Sequence, residues 1–200
     1  MTTIWAYCAA DWAQATRSAS GVEPLVCPSP EVADIERHLV KASTADIVYL
    51  NLHGYPDQPH YYGQADKKIG PTALTAEQVS HIDWRGVVVF AEVCFSAADG
   101  GGPIAQTFLA WGARAFIGST TEAYGRARPT LWDGEADRLM WIFRRFYPRI
   151  SDPAVALERA KQWLHLMSWP LDADDEATLE SFVCLLPNED KNNERRKTEN

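Results

Sequence analysis

The segments LNLHG at residues 50–54 and FAEVCFS at residues 90–96 decide the fold, because each ends an apolar run with the character of a buried strand. The first segment carries His53 and Gly54, and the second carries Cys94. In open α/β sheets the working groups lie in the crevice at the carboxyl ends of the strands. Two reactive side chains that arrive there from separate strands are therefore predicted to meet.

The length and composition indicate one folded unit. Two hundred residues with 46% hydrophobic content are enough for one sizeable core, so we expect a single domain over residues 1–187. Residues 188–200 are polar and are predicted to form a disordered tail. Apolar runs stay well short of the roughly 20 residues that cross a bilayer, and the first residues lack a secretory signal. We expect a cytoplasmic protein that makes no membrane contact.

Charge and cysteine usage narrow the function classes. The formal net charge of -8 disfavours nucleic acid as a direct partner and mildly favours basic ligands or peptides. The cysteines are dispersed without a CxxC pair, which argues against a zinc site and against a dense disulfide framework; they are Cys8, Cys27, Cys94 and Cys184. No metal or cofactor is expected, and at least one cysteine is open to a reactive role.

Strand and helix patterns alternate along the chain. This alternation predicts right-handed crossovers and an α/β fold with a mostly parallel sheet between helices. Strands are expected at 4–10, 45–52, 87–90 and 115–118, and helices after Ser29-Pro30-Glu31, after the capping box Thr75–Gln78, after Pro103, around Leu139–Phe146 and from Asp152-Pro153. Residues 55–71 and 119–134 are expected to be surface loops.

His53, Cys94 and Gly54 could support acyl transfer. A thiol attacks well as a thiolate, and a neighbouring imidazole can accept its proton and return it to the leaving amine. The backbone N–H groups of Gly54 and Cys94 could form an oxyanion hole, because the glycine lets a reacting carbonyl approach closely. Taken singly, a His-Gly or a cysteine at a strand end is more often structural. Their combination at two strand ends favours a catalytic pair.

These segments also resemble a known family. The two strand ends are followed by AQTFLAWGARAFIGST at residues 105–120, and together they resemble the caspase-like cysteine peptidases, the group of caspases, metacaspases, gingipains and legumains. The similarity covers residues 45–165 and is greatest to gingipain-type and CHAT domains. It implies a caspase-like three-layer sandwich, with helices on both faces of a mostly parallel sheet, and a dyad of His53 and Cys94. Tyr55 and the run 95–97 depart from the family pattern.

The resemblance extends to substrate binding. Glu92 shares the face of Cys94, since residues two apart on a strand point the same way. By resemblance to metacaspases and legumains, Glu92 would receive Arg or Lys before the cleaved bond, with Asn as a lesser possibility. The alternative is a glutamate paired with an internal arginine. Glu122 and Tyr124, in the loop after the next strand, are candidate wall residues or members of an ordinary polar loop.

Three functions follow as hypotheses. The leading one is a cysteine endopeptidase that acts on a protein or peptide after a basic residue. The second is a catalytically silent caspase-like module for interaction or signalling, and it leaves open a regulatory protein partner. The third, a flavodoxin-like binder of nucleotides, is disfavoured because neither GxGxxG nor GxxxxGK[ST] follows a strand.

Overall fold

The computed structural model describes residues 2–125, 135–167 and 173–188. Short 3-10 turns at Ala10–Trp12, Pro30–Asp34 and Ala98–Gly100 join longer elements. The strands are β1 (Ile4–Ala9), β2 (Leu25–Cys27), β3 (Ile47–Asn51), β4 (Tyr61–Ala65), β5 (Lys68–Leu74), β6 (Val88–Glu92), β7 (Ala115–Ser119) and β8 (Phe182–Leu185). The helices are α1 (Ala13–Ser20), α2 (Ile35–Ala42), α3 (Ala76–Val79), α4 (Pro103–Ala110), α5 (Glu135–Ile150), α6 (Pro153–Met167) and α7 (Ala173–Ser181).

A six-stranded sheet forms the centre, in the order β2-β1-β3-β6-β7-β8. Its strands pair in parallel except for β8, which runs antiparallel to β7. The predicted α/β architecture with a mostly parallel sheet and helices on both faces is confirmed.

The sheet separates two apolar cores because side chains alternate along each strand. On β3, Val48 and Leu50 face the core that includes α2, α3 and α4, whereas Ile47 and Tyr49 face the core that includes α5, α6 and α7. Burial on both faces explains why the sequences of β3 and β6 are almost continuously apolar. By the same alternation, Glu92 and Cys94 point to the α5 side.

Residues 55–71 were expected to be a surface loop, and this expectation is wrong for their second half. Strands β4 and β5 form an antiparallel hairpin there. Asp66 and Lys67, with φ of 51° and 62°, make the left-handed turn that a two-residue hairpin loop uses. A mutual backbone pair ties the hairpin to the end of β3: His53 N donates to Tyr62 O and Tyr62 N to His53 O, each at 2.9 Å.

Several element predictions hold and others need correction. The Thr75–Gln78 capping box is present, and Asp152 Oδ1 accepts from the N–H groups of Ala154 and Val155 at 2.9 and 3.0 Å at the start of α6. A 3-10 turn precedes α2, so its regular part begins at Ile35 rather than near Pro30. Some large apolar side chains on these helices are exposed, among them Val40 on α2 and Val155 and Met167 on α6.

The carboxyl-terminal end of the fold was not anticipated. Helix α7 and strand β8 add an antiparallel edge to the sheet. The first turn of α7 carries Asp174, Asp175 and Glu176, which suits the positive end of the helix dipole. Residues 189–200 of the expected tail and residues 126–134 of the expected second loop lie outside the described residues.

Candidate active site

The register of two neighbouring strands places His53 level with Cys94. Asn51 on β3 pairs with Glu92 on β6, and the two reactive residues lie two positions beyond this pair on their respective chains. Adjacent strands are about 4.8 Å apart. Both residues line one cleft of about 340 Å³ at the carboxyl edge of the sheet. The cleft also contains the other predicted site residues, Gly54, Glu92, Glu122 and Tyr124.

Gly54 allows the two strand ends to approach each other. A Cβ atom built on this residue would lie well inside 3.0 Å of the Cys94 carbonyl oxygen and 2.7 Å from Val93 Cγ1. Any larger residue would push the segments after β3 and β6 apart. Position 54 therefore requires glycine for steric reasons, which is a role separate from the backbone N–H expected to bind the oxyanion.

A tight turn exposes Cys94 at the end of β6. Ser96 N donates to Val93 O at 3.2 Å, and Phe95 between them has a left-handed φ of 58°. Such a conformation is strained for a residue with a Cβ. Phe95 N donates to Thr121 O at 2.8 Å, which fixes the turn against the segment after β7. The turn leaves Cys94 partly exposed.

The Cys94 thiol is held by the backbone of Ala123. The N–H of Ala123 donates to Sγ at 3.3 Å, and Sγ lies 3.8 Å from Ala123 O. Burial raises the pKa of the thiol and the Ala123 N–H lowers it, while negative charge on the nearby Glu122 and Glu92 raises it. The net result is a pKa above the ordinary cysteine value, so the resting group is a neutral thiol.

The His53 imidazole is held by residues that sequence reasoning missed. Nε2 is hydrogen-bonded to Oε1 of Gln64 on β4, and the Trp12 ring lies against the imidazole with centroids 4.2 Å apart. Burial lowers the pKa of His53, while Gln64 and the charge of Asp11 raise it to a lesser extent. The ring is thus neutral at neutral pH and able to accept a proton. Trp12 closely follows β1, so its place at the same edge of the sheet could have been inferred from the sequence.

Within the described ranges, no hydrogen bond joins the His53 imidazole to the Cys94 thiol. The imidazole is bonded to Gln64 and the thiol to Ala123. Proton transfer between them requires a rearrangement of the cleft or a bridging substrate.

Glu92 lies at the inner wall of the cleft and is only 3% exposed. Its carboxyl accepts from the Tyr49 hydroxyl at 2.5 Å, and that hydroxyl is 3.4 Å from Oδ1 of Asp137 on α5. Gly125 packs directly against it, since a Cβ there would lie well inside 3.0 Å of Glu92 Oε1. Burial, followed by the Asp137 charge, raises the pKa of Glu92 well above the ordinary value, and the Tyr49 bond opposes this.

The loop from Thr120 to Gly125 forms the opposite wall. Tyr124, at 51% exposure, donates from its hydroxyl to the exposed Glu122, and Tyr124 N donates to Thr178 Oγ1 at 3.4 Å. Both side chains line the cleft. Neither reaches the sulfur directly; their loop reaches it through Ala123.

Two further properties concern the described part of the chain as a whole. Residues 2–125, 135–167 and 173–188 contain no group of three or more metal-ligating side chains that could hold an ion. Over the same ranges, none of the helices has both the length and the apolarity needed to span a membrane.

Comparison with known proteins gives a fold relationship. No family model matches the sequence, and no curated protein matches it. The chain is similar to the crystal structure of the Arg-specific cysteine proteinase gingipain R, with a TM-score of 0.54 and 12% identity over 92% of this chain and 47% of that one. A second structure, described as a protease, has a TM-score of 0.47 and 13% identity over 92% of this chain and 48% of that one. This chain spans about half the length of each. The similarity to gingipain R shows that the two proteins share a fold.

Proposed function

We propose that this protein is a cysteine endopeptidase, of gingipain or CHAT type, that cleaves peptide bonds after a basic residue. The observation that carries the proposal is the shared level of His53 and Cys94 at the ends of adjacent parallel strands, both opening into one cleft. The sequence resemblance to caspase-like peptidases and the fold likeness to gingipain R, a proteinase specific for arginine, support it.

The neutral state of both groups suits general-base catalysis. His53 would accept the proton of Cys94 as the sulfur attacks the substrate carbonyl carbon, and the developing negative charge would fall on the carbonyl oxygen. The imidazolium would then give its proton to the leaving amine, and water would hydrolyse the thioester. The N–H groups of Gly54 and Cys94 are the candidate donors to the oxyanion, and the Ala123 N–H assists the thiolate.

Glu92 is the candidate for recognition of the basic side chain. It lies in the wall of the same cleft, on the face that Cys94 shares, and its hydrogen-bond partner in the described structure is Tyr49 rather than an arginine. A buried carboxyl with a raised pKa becomes favourable as a carboxylate when a guanidinium or ammonium group pairs with it. Glu122 and Tyr124 would bound the mouth of the cleft.

Thiol labelling and peptide cleavage test the proposal. Peptides that differ only in Arg, Lys, Asn or Leu before the scissile bond should be cleaved in favour of Arg and Lys. An Arg-bearing chloromethyl ketone should alkylate Cys94, as located by mass spectrometry. The Cys94→Ala and His53→Ala variants should lose both activities. Cys184→Ala is the matched control, because Cys184 is also partly exposed and burial raises its pKa to about 12. Full cleavage by Cys94→Ala would refute the assignment.

The hydrogen-bond pattern of the two groups favours one other candidate, a catalytically silent interaction module. The thiol and the imidazole are bonded to Ala123 and Gln64 instead of to each other. A silent module would leave Cys94 no more reactive than Cys184 toward the ketone. An enzyme would label at Cys94 far faster, and His53→Ala would abolish the difference.

A further inference from the structure

Gln64 makes a direct hydrogen bond to the imidazole of His53. This residue lies on β4 of the hairpin, eleven positions after His53, and its Oε1 is bonded to the ring nitrogen Nε2. An amide oxygen only accepts, so the ring nitrogen that faces it carries the proton. The other ring nitrogen, Nδ1, is then the one with a free lone pair.

The hairpin is built so that Gln64 stays at this place. The mutual backbone bonds between His53 and Tyr62 join the hairpin to the chain that carries the imidazole. Gln64 follows Tyr62 by two positions on the same strand. The pairing of β4 with β5 is irregular between these two residues, and a bulge of this kind can re-aim a side chain.

A second attachment fixes the tip of the hairpin. The Asp11 carboxylate accepts from the N–H groups of Asp66 and Lys67 at 3.1 and 2.8 Å. Asp11 belongs to the same short turn as Trp12, whose ring lies against the imidazole. The imidazole is therefore held between the turn after β1 and the hairpin, with a polar contact at Nε2 and an aromatic contact on the ring.

We propose that Gln64 is a positioning residue that keeps the proton of His53 on Nε2 and leaves Nδ1 to accept the proton of Cys94. The proposal rests on the peptidase function for its catalytic meaning. In the reaction the thiol proton moves to Nδ1, Nε2–H keeps its bond to Gln64 while the ring is cationic, and the proton on Nδ1 then leaves with the amine. Gln64 itself gains and loses no proton.

Variants at Gln64 separate positioning from a structural role. Gln64→Leu keeps the size of the side chain but cannot accept, so it should lower kcat by about 10- to 100-fold with a smaller change in KM. Gln64→Glu keeps an acceptor and adds a charge, so activity should be largely restored. The His53 pKa should then rise by about one unit or more, which moves the acidic limb of the pH profile to higher pH. Asp11, the other charged group that acts on the ring, is unchanged in both variants.

A matched control lies in the same part of the fold. Gln58 accepts from the Tyr62 hydroxyl at 3.2 Å and does not touch the imidazole. Gln58→Leu should leave kcat and the pH profile at wild-type values. Equal kcat losses in Gln58→Leu and Gln64→Leu, without a shifted profile in Gln64→Glu, would overturn the proposal.

Nitrogen-15 NMR of the histidine ring tests the proposal without any activity. In the wild type the His53 signals, assigned with His53→Ala, should show the Nε2–H tautomer. Gln64→Leu should show a mixture of the two tautomers. A wild-type ring protonated on Nδ1, or a tautomer unchanged in Gln64→Leu, would overturn the positioning role even if peptides are cleaved. An inactive wild type with the expected tautomers would instead contradict the peptidase function and leave the Gln64 contact established.

Discussion

Replacing Glu92 with glutamine should change how stability depends on pH. Glu92 is almost completely buried, and burial together with the Asp137 charge raises its pKa well above the ordinary value of 4.5. Above pH 4.5 the unfolded chain loses this proton while the folded chain keeps it. Because the folded state then binds more protons, the free energy of unfolding must fall as the pH rises.

The magnitude follows from one proton. The fall should be about 1.4 kcal/mol per pH unit, beginning near pH 4.5 and ending at the folded-state pKa. Over two pH units it amounts to about 3 kcal/mol, a substantial part of the roughly 5–15 kcal/mol that stabilises a typical domain. Glutamine has nearly the same shape and can accept from Tyr49, but it does not titrate. The stability of Glu92→Gln relative to the wild type should therefore grow with pH.

Urea unfolding between pH 5 and 8 measures this difference. The eight tryptophans provide a fluorescence signal. At each pH the free energy of unfolding of the wild type is subtracted from that of the variant, which cancels the contributions of the other titrating groups. Glu180→Gln, which removes an exposed carboxylate from α7, is the control and should parallel the wild type. Asp137→Asn removes the second cause of the raised pKa and should shorten the falling range. Parallel curves for Glu92→Gln and the wild type would refute the reasoning.

Two more predictions concern how the site is held together. Gly54→Ala should cost about 1–3 kcal/mol of unfolding free energy and slow the alkylation of Cys94, because the new Cβ overlaps the Cys94 carbonyl. Gly102→Ala is the control, because a Cβ there meets nothing within 4 Å, and its free energy of unfolding should stay within about 1 kcal/mol of the wild type. Equal losses of stability in the two variants would contradict the steric explanation. Asp11→Ala should speed hydrogen exchange at the two amides of the hairpin tip by about tenfold and lower kcat in parallel, since the hairpin carries Gln64. Unchanged exchange would show that the tip does not depend on Asp11.

The central sheet was predictable because its strands are buried on both faces. Such strands leave a continuous apolar run in the sequence, and β3, β6 and β7 were all expected near their observed positions. The hairpin of β4 and β5 left no such run, because most of its residues are exposed or half-exposed and its turn lacks glycine. Its position is set by the backbone pair between His53 and Tyr62, which joins the hairpin to the end of β3 and leaves no periodic pattern in the sequence.

Some of the residues that line the cleft could be inferred for the same reason. His53 and Cys94 follow the ends of buried strands and Glu92 is the last residue of one, so a common cleft could be expected from the strand ends. Gln64 sits on the hairpin, and Trp12 on a short turn, so neither had a periodic signal. The pairing of Glu92 with Tyr49 could be inferred only after the register of β3 and β6 was known.

On the proposed function, the burial of Glu92 explains how the cleft would distinguish a basic side chain from a neutral one. Ionising a buried carboxyl without a partner is costly, so burial raises the pKa of Glu92 well above its ordinary value and favours the protonated form. A leucine side chain gives no reason to release that proton, so it gains only apolar contact. A guanidinium supplies the missing partner, and the proton leaves in exchange for a charge-assisted hydrogen bond. An ionised Glu92 would also raise the pKa of Cys94 and so disfavour the thiolate. A substrate cation paired with Glu92 would offset this negative charge while the substrate is bound, so the rise in the Cys94 pKa would be smaller.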